Sequence, residues 1–148
     1  MANHLRRQIR EAAAAVVGNL ATTGTRVFQS RARLLQASDL PCLRVYCDKE
    51  AIQRQTMGPG GDRRRELELV IEGCVAANVD FDDVADQIAK EVAIAIDGNS
   101  GLGGLVKFVE PREFEIDSAG DAELVVAIMR MRFAVLYYAA QSAPDVPR

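Results

Sequence analysis

The densest set of groups able to do chemistry is "EPREFEID", Glu110 to Asp117, with four carboxylates in eight residues. Paired carboxylates can work as acid and base on a glycosidic bond, but one of them must then sit in an apolar cleft that raises its pKa. The chain has no tryptophan and only 5% aromatic residues, so little is available to line a sugar cleft. A solvated strand face fits these carboxylates better. The acids of "DFDD", Asp80 to Asp83, sit where a helix begins, and helix N-termini collect acids because of the helix dipole.

The other chemical groups are sparse. Cys42, Cys47 and Cys74 form no CxxC pair, and His4 is the only histidine. A structural zinc site normally wants four such ligands, so the thiols read as small buried hydrophobes. One histidine on a surface helix also removes most Ser-His and Cys-His arrangements. "GPGGDRRR", Gly58 to Arg65, lacks the GK[ST] ending of a phosphate loop. "GNSGLGG", Gly98 to Gly104, precedes a strand instead of opening a helix, so its amides are not arrayed for a dinucleotide. The expectation is a protein that is not an enzyme and uses no cofactor or metal.

The elements that position these groups can be read from periodicity. Leu5, Ile9, Ala12, Ala13, Val16, Val17 and Leu20 recur at helical spacing, and Gly18-Asn19 begins the helix end. "TRVF", Thr25 to Phe28, reads as a short first strand. Pro41 suits the start of a second, Cys42 to Asp48, because it cannot donate to a ladder. Gln53 to Arg65 reads as a glycine-rich mobile loop with a basic triplet at its far end. From Glu66 the pattern alternates: Leu67, Leu69, Ile71, Gly73 and Val75 share one face, with Glu66, Glu68 and Glu72 opposite.

Asp80 is placed to cap a second helix carrying Val84, Ile88, Val92 and Ile96. A fourth strand, Leu105 to Ile116, contains Pro111, which predicts an edge position or a bulge. A long last strand, Glu123 to Tyr138, carries its core stripe from Val125 to Tyr137. The fold class is α+β in the order α-β-β-β-α-β-β: a mainly antiparallel sheet of about five strands with two amphipathic helices on one face. Residues 1–140 form one domain, and 141–148 read as a loose tail.

With 148 residues, 49% hydrophobic and 26% charged, the composition is that of a soluble globular domain. No apolar run approaches the ~18 residues that span a bilayer, and the N-terminus makes a poor signal peptide. The net charge of −3 hides a division: residues 1–65 hold twelve Lys/Arg and five Asp/Glu, and residues 66–148 hold six and sixteen. Such asymmetry fits either nucleic-acid contact or a subunit with complementary faces.

One set of motifs recurs in a known order. A first helix leads to "GTRVF", then "SRA…LLQASDLPCLRVYCDKE", a glycine-rich loop, the alternating strand "ELELVIEG", an acidic helix and a closing strand ending "FAVLYY". From about Leu5 to Tyr138 this resembles the tail terminator family of long-tailed bacteriophages, the lambda-like minor tail protein U group. The resemblance implies a homohexameric ring that caps the tail tube and ends its polymerisation. It implies contacts with the major tail tube protein and a head–tail connector protein, and DNA that only passes through the lumen. The site would be the head-proximal end of the virion tail, assembled in the host cytoplasm, with no membrane and no cofactor.

Under this resemblance Arg54, Arg63, Arg64 and Arg65 are candidates for tube contact. Arg31, Arg33 and Asp39 are candidates for the subunit interface or ring surface. A head-completion or neck ring of the connector is the nearest alternative in role. A nucleic-acid-binding module is the alternative of a different class; against it, the arginines are dispersed and not interleaved with aromatics.

Overall fold

The computed structural model describes residues 3–30, 32, 34–58, 60–77, 80–120 and 125–148. Helix α1 spans Leu5–Val16, strand β1 Val27–Phe28, strand β2 Cys42–Arg54 and strand β3 Asp62–Ala76. Helix α2 spans Phe81–Asp97, strand β4 Phe108–Gly120 and strand β5 Val125–Ala140. The observed order is the expected α-β-β-β-α-β-β. The five strands line up as β1-β2-β3-β5-β4, antiparallel throughout except for the parallel β1–β2 pair.

The two helices cover one face of the sheet, here called the inner face. Helix α1 buries Leu5, Ile9, Ala13 and Ala14, and His4 caps its start, with Nδ1 accepting from the Arg6 N–H at 3.0 Å. Helix α2 follows Asp80 at the N-cap position and buries Ala85, Ile88, Val92 and Ile96. Beneath them lie Leu67, Leu69 and Ile71 of β3 and the β5 stripe Met129, Met131, Phe133, Val135 and Tyr137. Gly73 sits opposite Met129 in this layer. A Cβ at Gly73 would meet Met129 Cε at 2.8 Å and Ile88 Cγ2 at 3.3 Å, so the missing side chain is what lets α2 settle onto the sheet.

The outer face is divided. At one end Cys42, Cys74, Val126 and Ile128 form a second apolar cluster, and Phe28 of β1 with Leu35 and Leu40 from the segment after it pack over it. Elsewhere the outer face is charged. Pro111 meets both expectations for its strand: β4 is an edge, and its register with β5 shifts between Pro111 and Glu113.

Several expectations change in extent. β2 and β3 continue to Arg54 and from Asp62, so the loop between them is Gln55–Gly61 and the basic triplet lies inside a strand. The cause is the partner strand: β5 runs on to Ala140 and continues the ladder past the last apolar alternation. β4 begins at Phe108, three residues later than the pattern suggests, because Leu102–Gly104 form a 3-10 turn first. Residues 141–148, expected to be loose, turn back along α1. The Leu5 N–H donates to Pro144 O at 2.9 Å, the Arg148 N–H to Tyr138 O at 2.9 Å, and Arg148 pairs with Asp62 at 3.3 Å.

The Gly73 contact yields a test. Gly73→Val should fold but lose about 1–3 kcal/mol by overpacking, seen as a lower urea midpoint at an unchanged slope. An unchanged midpoint would show that α2 does not depend on this close approach.

Candidate functional site

Charged side chains gather in three places: the outer sheet face, a buried clasp under α1, and the tip of the β2–β3 hairpin. On the outer face, Arg130 and Arg132 of β5 stand beside the glutamates of β3. Arg132 Nη1 donates to Glu68 Oε1 at 2.6 Å, and Arg130 Nε lies 3.7 Å from Glu72 Oε2. The lattice extends to both flanking strands. Arg44 of β2 reaches Glu72 at 3.0 Å, Asp48 reaches Arg132 at 3.3 Å, and Glu115 of β4 meets Arg130 at 3.3 Å and Arg132 at 3.4 Å. Opposite charges thus alternate across four strands; the more exposed cross-strand pairs are worth roughly 0.2–1 kcal/mol each, whereas Arg44 and Glu72 form a largely buried pair. Burial and a hydrogen bond to Glu72 push Tyr46, in the same face, up to about 12.

The clasp depends on a bulge. Cys47 pairs with Leu69 and Glu50 with Leu67, so two residues of β2 oppose one of β3. Without the extra residue, Glu50 would point outward; with it, Glu50 turns inward beneath α1. There it meets the neighbouring pair Arg65 and Tyr137. Arg65 Nη1 donates to Glu50 Oε2 at 3.1 Å, the Tyr137 hydroxyl donates to Glu50 Oε1, and Arg6 Nη1 approaches Oε2 at 3.5 Å. The side chains of Glu50 and Arg65 are 4% and 7% exposed. Burial first, and then the hydrogen bond to Glu50, push the Tyr137 hydroxyl far up, so it stays a donor.

The hairpin ends differently. Arg54 and Arg63 are directly opposed partners, and neither meets a carboxylate in an ion pair among the described residues. Like charges so placed are unfavourable in isolation. Arg64 has a long contact with Glu66 at 3.7 Å. The tip turns through Gly58 and Gly60, both in the left-handed region, and presents Met57 at 93% exposure.

Of the residues expected to contact a tube, Arg54, Arg63 and Arg64 therefore cluster on the hairpin. Arg65 shares a sheet face with Arg54 and Arg63 but is buried in the clasp, while Arg64 faces the other way, beside Glu66. Asp39 closes a one-turn 3-10 helix at Ala37–Asp39, accepting from the Gln36 N–H at 3.0 Å. Arg31 and Arg33 lie outside the described residues.

Sequence reading missed the clasp. Arg65 has the same parity as Leu67 and Leu69, which placed it on the inner face, but the β2 bulge that supplies its partner leaves no mark in the sequence. Cys42 and Cys74 are opposed and buried, and Cys47 is half-buried; all three are free thiols. A hydrogen bond shared with Cys74, together with burial, pushes the Cys42 thiol up. Among the described residues no group of three His, Cys, Asp or Glu could hold a metal ion, and no helix is long and apolar enough to cross a membrane.

No family model matches the chain, and no curated protein matches it. One solved structure, the virion of a native gene transfer agent particle, contains a chain similar over 90% of this chain and 92% of its own length, at 15% identity and a TM-score of 0.37. A likeness at that level does not transfer a role.

The clasp and the outer lattice make separable predictions. Glu50→Ala should cost about 3–5 kcal/mol by leaving Arg65 buried and unpaired. Tyr137→Phe, which removes one hydrogen bond to a charged group, should cost about 1.5–3 kcal/mol. Equal small losses in chemical denaturation would show the clasp to be wetter than its burial indicates.

Tyr46 predicts alkaline behaviour. The native state keeps its proton up to about 12, while the unfolded chain releases it near the ordinary 10.0. Between these values the unfolded state binds fewer protons, so stability should fall as pH rises through this window. Tyr46→Phe should flatten that fall in a series of denaturation curves; an unchanged slope would remove Tyr46 as its source.

Proposed function

We propose that the chain is a structural protein of a phage-like virion, forming a ring that caps the tail tube, ends its polymerisation and offers a surface for head attachment. The observation that supports this most is where unbalanced charge sits. The outer lattice is largely neutralised within itself. Exposed acids without an ion pair among the described residues remain on α2 and on the edge strand β4, among them Asp82, Asp83, Asp86, Asp97 and Glu113. At the other side, Arg10 and Arg26 are half-buried and meet no carboxylate in an ion pair among the described residues, while the exposed Arg6 and Arg7 are paired with Glu50 and Glu11.

Two edges of opposite sign are complementary to each other and repel themselves. They favour a head-to-tail contact, which closes into a ring or runs on as a filament. The resemblance to tail terminators selects the ring and a count of six. In that ring the β2–β3 hairpin is the surface for the tube. Arg54, Arg63 and Arg64 lack strong internal partners, and an acidic tube rim would relieve their mutual repulsion. Arg65 takes no part, because it is held in the clasp.

The test is Arg54→Glu, Arg63→Glu and Arg64→Glu in one chain, added to polymerising tail-tube protein from the same genome. The variant should stay folded, since all three positions lie outside the core. Electron microscopy should show tubes that overrun their normal length and few finished particles. Tubes of normal length at normal yield would overturn the assignment of the hairpin to the tube. A wild-type chain that neither caps tubes nor limits their length would overturn the terminator reading itself.

A further inference from the structure

The helices do not cover the inner face as far as its β4 edge. Between α2 and β4 runs an open groove of about 570 Å³, floored by Met131, Phe133 and Phe114 and walled by Ala89, Ala93 and Ile96. The helix presents alanines here where leucines would fill the space, and Phe114 stays 46% exposed. Asp97 and Glu113 line the groove and make no ion pair among the described residues. The two arginines that also line it, Arg112 and Arg132, are engaged by Glu66, Glu110, Glu68, Asp48 and Glu115. The free charge at the groove is negative.

At the opposite edge of the sheet the chain offers a matching projection. Leu34 stands 89% exposed on the segment between β1 and the 3-10 turn. Its neighbour Leu35 packs against the outer apolar cluster, so the segment is anchored while Leu34 points away from it. Two arginines bracket the segment. Arg10 Nε donates to Gln29 Oε1 at 3.1 Å at its start, and Arg26 Nε donates to Pro41 O at 2.8 Å at its end. Neither meets a carboxylate in an ion pair among the described residues. The projection is apolar at its tip and positive at its base; the groove is apolar on its floor and negative at its rim.

We propose that Leu34 of one copy seats in the α2–β4 groove of the next, steered by the basic ends of its segment and the Asp97 and Glu113 carboxylates. The partner is a second copy of this chain. Projection and groove lie toward opposite edges of the sheet, β1 and β4, so each copy offers one of each and the contact repeats head to tail. Burial of Leu34 and Phe114 supplies the attraction, and the charges set the direction. This rests on the ring reading and assigns its lateral contact.

Leu34→Glu removes the projection, and Ala93→Arg fills the groove and offsets one of its two free carboxylates. Both positions are exposed, so each variant should unfold at close to the wild-type temperature. In sedimentation velocity across a concentration series, each alone should self-associate at least tenfold more weakly than wild type. Mixed in equal amounts they should form a discrete dimer, because Leu34→Glu keeps its groove and Ala93→Arg keeps its projection.

Variants that associate like wild type would overturn the groove contact and leave the ring reading standing. A defect in Ala93→Arg alone would mean that the groove takes a different occupant, and would also overturn the contact. So would two defective variants that fail to pair when mixed. A wild-type chain that stays monomeric at every concentration, with and without tube, would overturn both this contact and the ring.

Discussion

The structure hangs on the ladder between β3 and β5. Asp62 to Ala76 pair without a shift against Ala140 to Val126, fifteen residues in unbroken register. Side chains alternate faces along a strand, so a slip of one residue would exchange Leu69 with Glu68 and put charge under the helices. The ladder therefore decides, residue by residue, what meets α1 and α2 and what meets the outer lattice. It also places Gly73 opposite Met129, where α2 comes close to the strand through Ile88. β2 and β4 are laid against this pair, and each departs from regular register once, by a bulge.

Those bulges do different things. In β4 the shift at Pro111 accommodates a residue with no N–H to give, on the edge strand where that matters least. In β2 the shift changes which face Glu50 belongs to, and so creates the clasp with Arg65 and Tyr137. A buried ion pair is weak evidence of net stability, because the desolvation of two charges offsets much of their attraction. Its clearer consequence here is for register. With Arg65 on the inner face, any pairing of β2 that does not bring Glu50 inward leaves a buried guanidinium without its carboxylate. The clasp thus penalises the unbulged alternative more than it stabilises the native one.

Much of this order was legible, and the limits follow from the same physics. The β5 stripe and the Leu67 to Val75 alternation announced the two central strands, since each is set by burial of one face. Of the three glutamates set opposite the apolar face, Glu68 and Glu72 meet Arg132 and Arg130 of the neighbouring β5, while Glu66 pairs with Arg64 and Arg112. Strand residues beyond that burial were not legible. Gln53 to Arg54 and Asp62 to Arg65 carry no apolar alternation and enter the sheet because β5 extends past them, which is a property of the partner strand. The tail at 141–148 is polar and proline-bearing, yet it is held by backbone bonds to α1 and β5 that composition cannot reveal. The division of charge between the chain's halves was visible from the start; its meaning needed the strand order, which puts the acidic β4 at one edge and the basic segments at the other.

That arrangement separates directions as well as charges. Along the strands, the sheet ends in a hairpin whose tip is built from glycines and an exposed methionine, with two opposed arginines at its base. Across the strands, it ends in an acidic groove on one side and an anchored leucine on the other. A subunit of the proposed ring has to bind its own copies laterally and a different partner axially, and one surface cannot be tuned for both without confusing them. Here the groove is carried on α2 and the ladder-held β4, and the leucine stands beside Leu35, which packs on the outer apolar cluster. The axial surface is carried on a short turn that can adjust to a partner of another sequence. The neutralised lattice between them keeps the outer face from competing for either, since carboxylates and guanidiniums already paired have little to gain from a new neighbour.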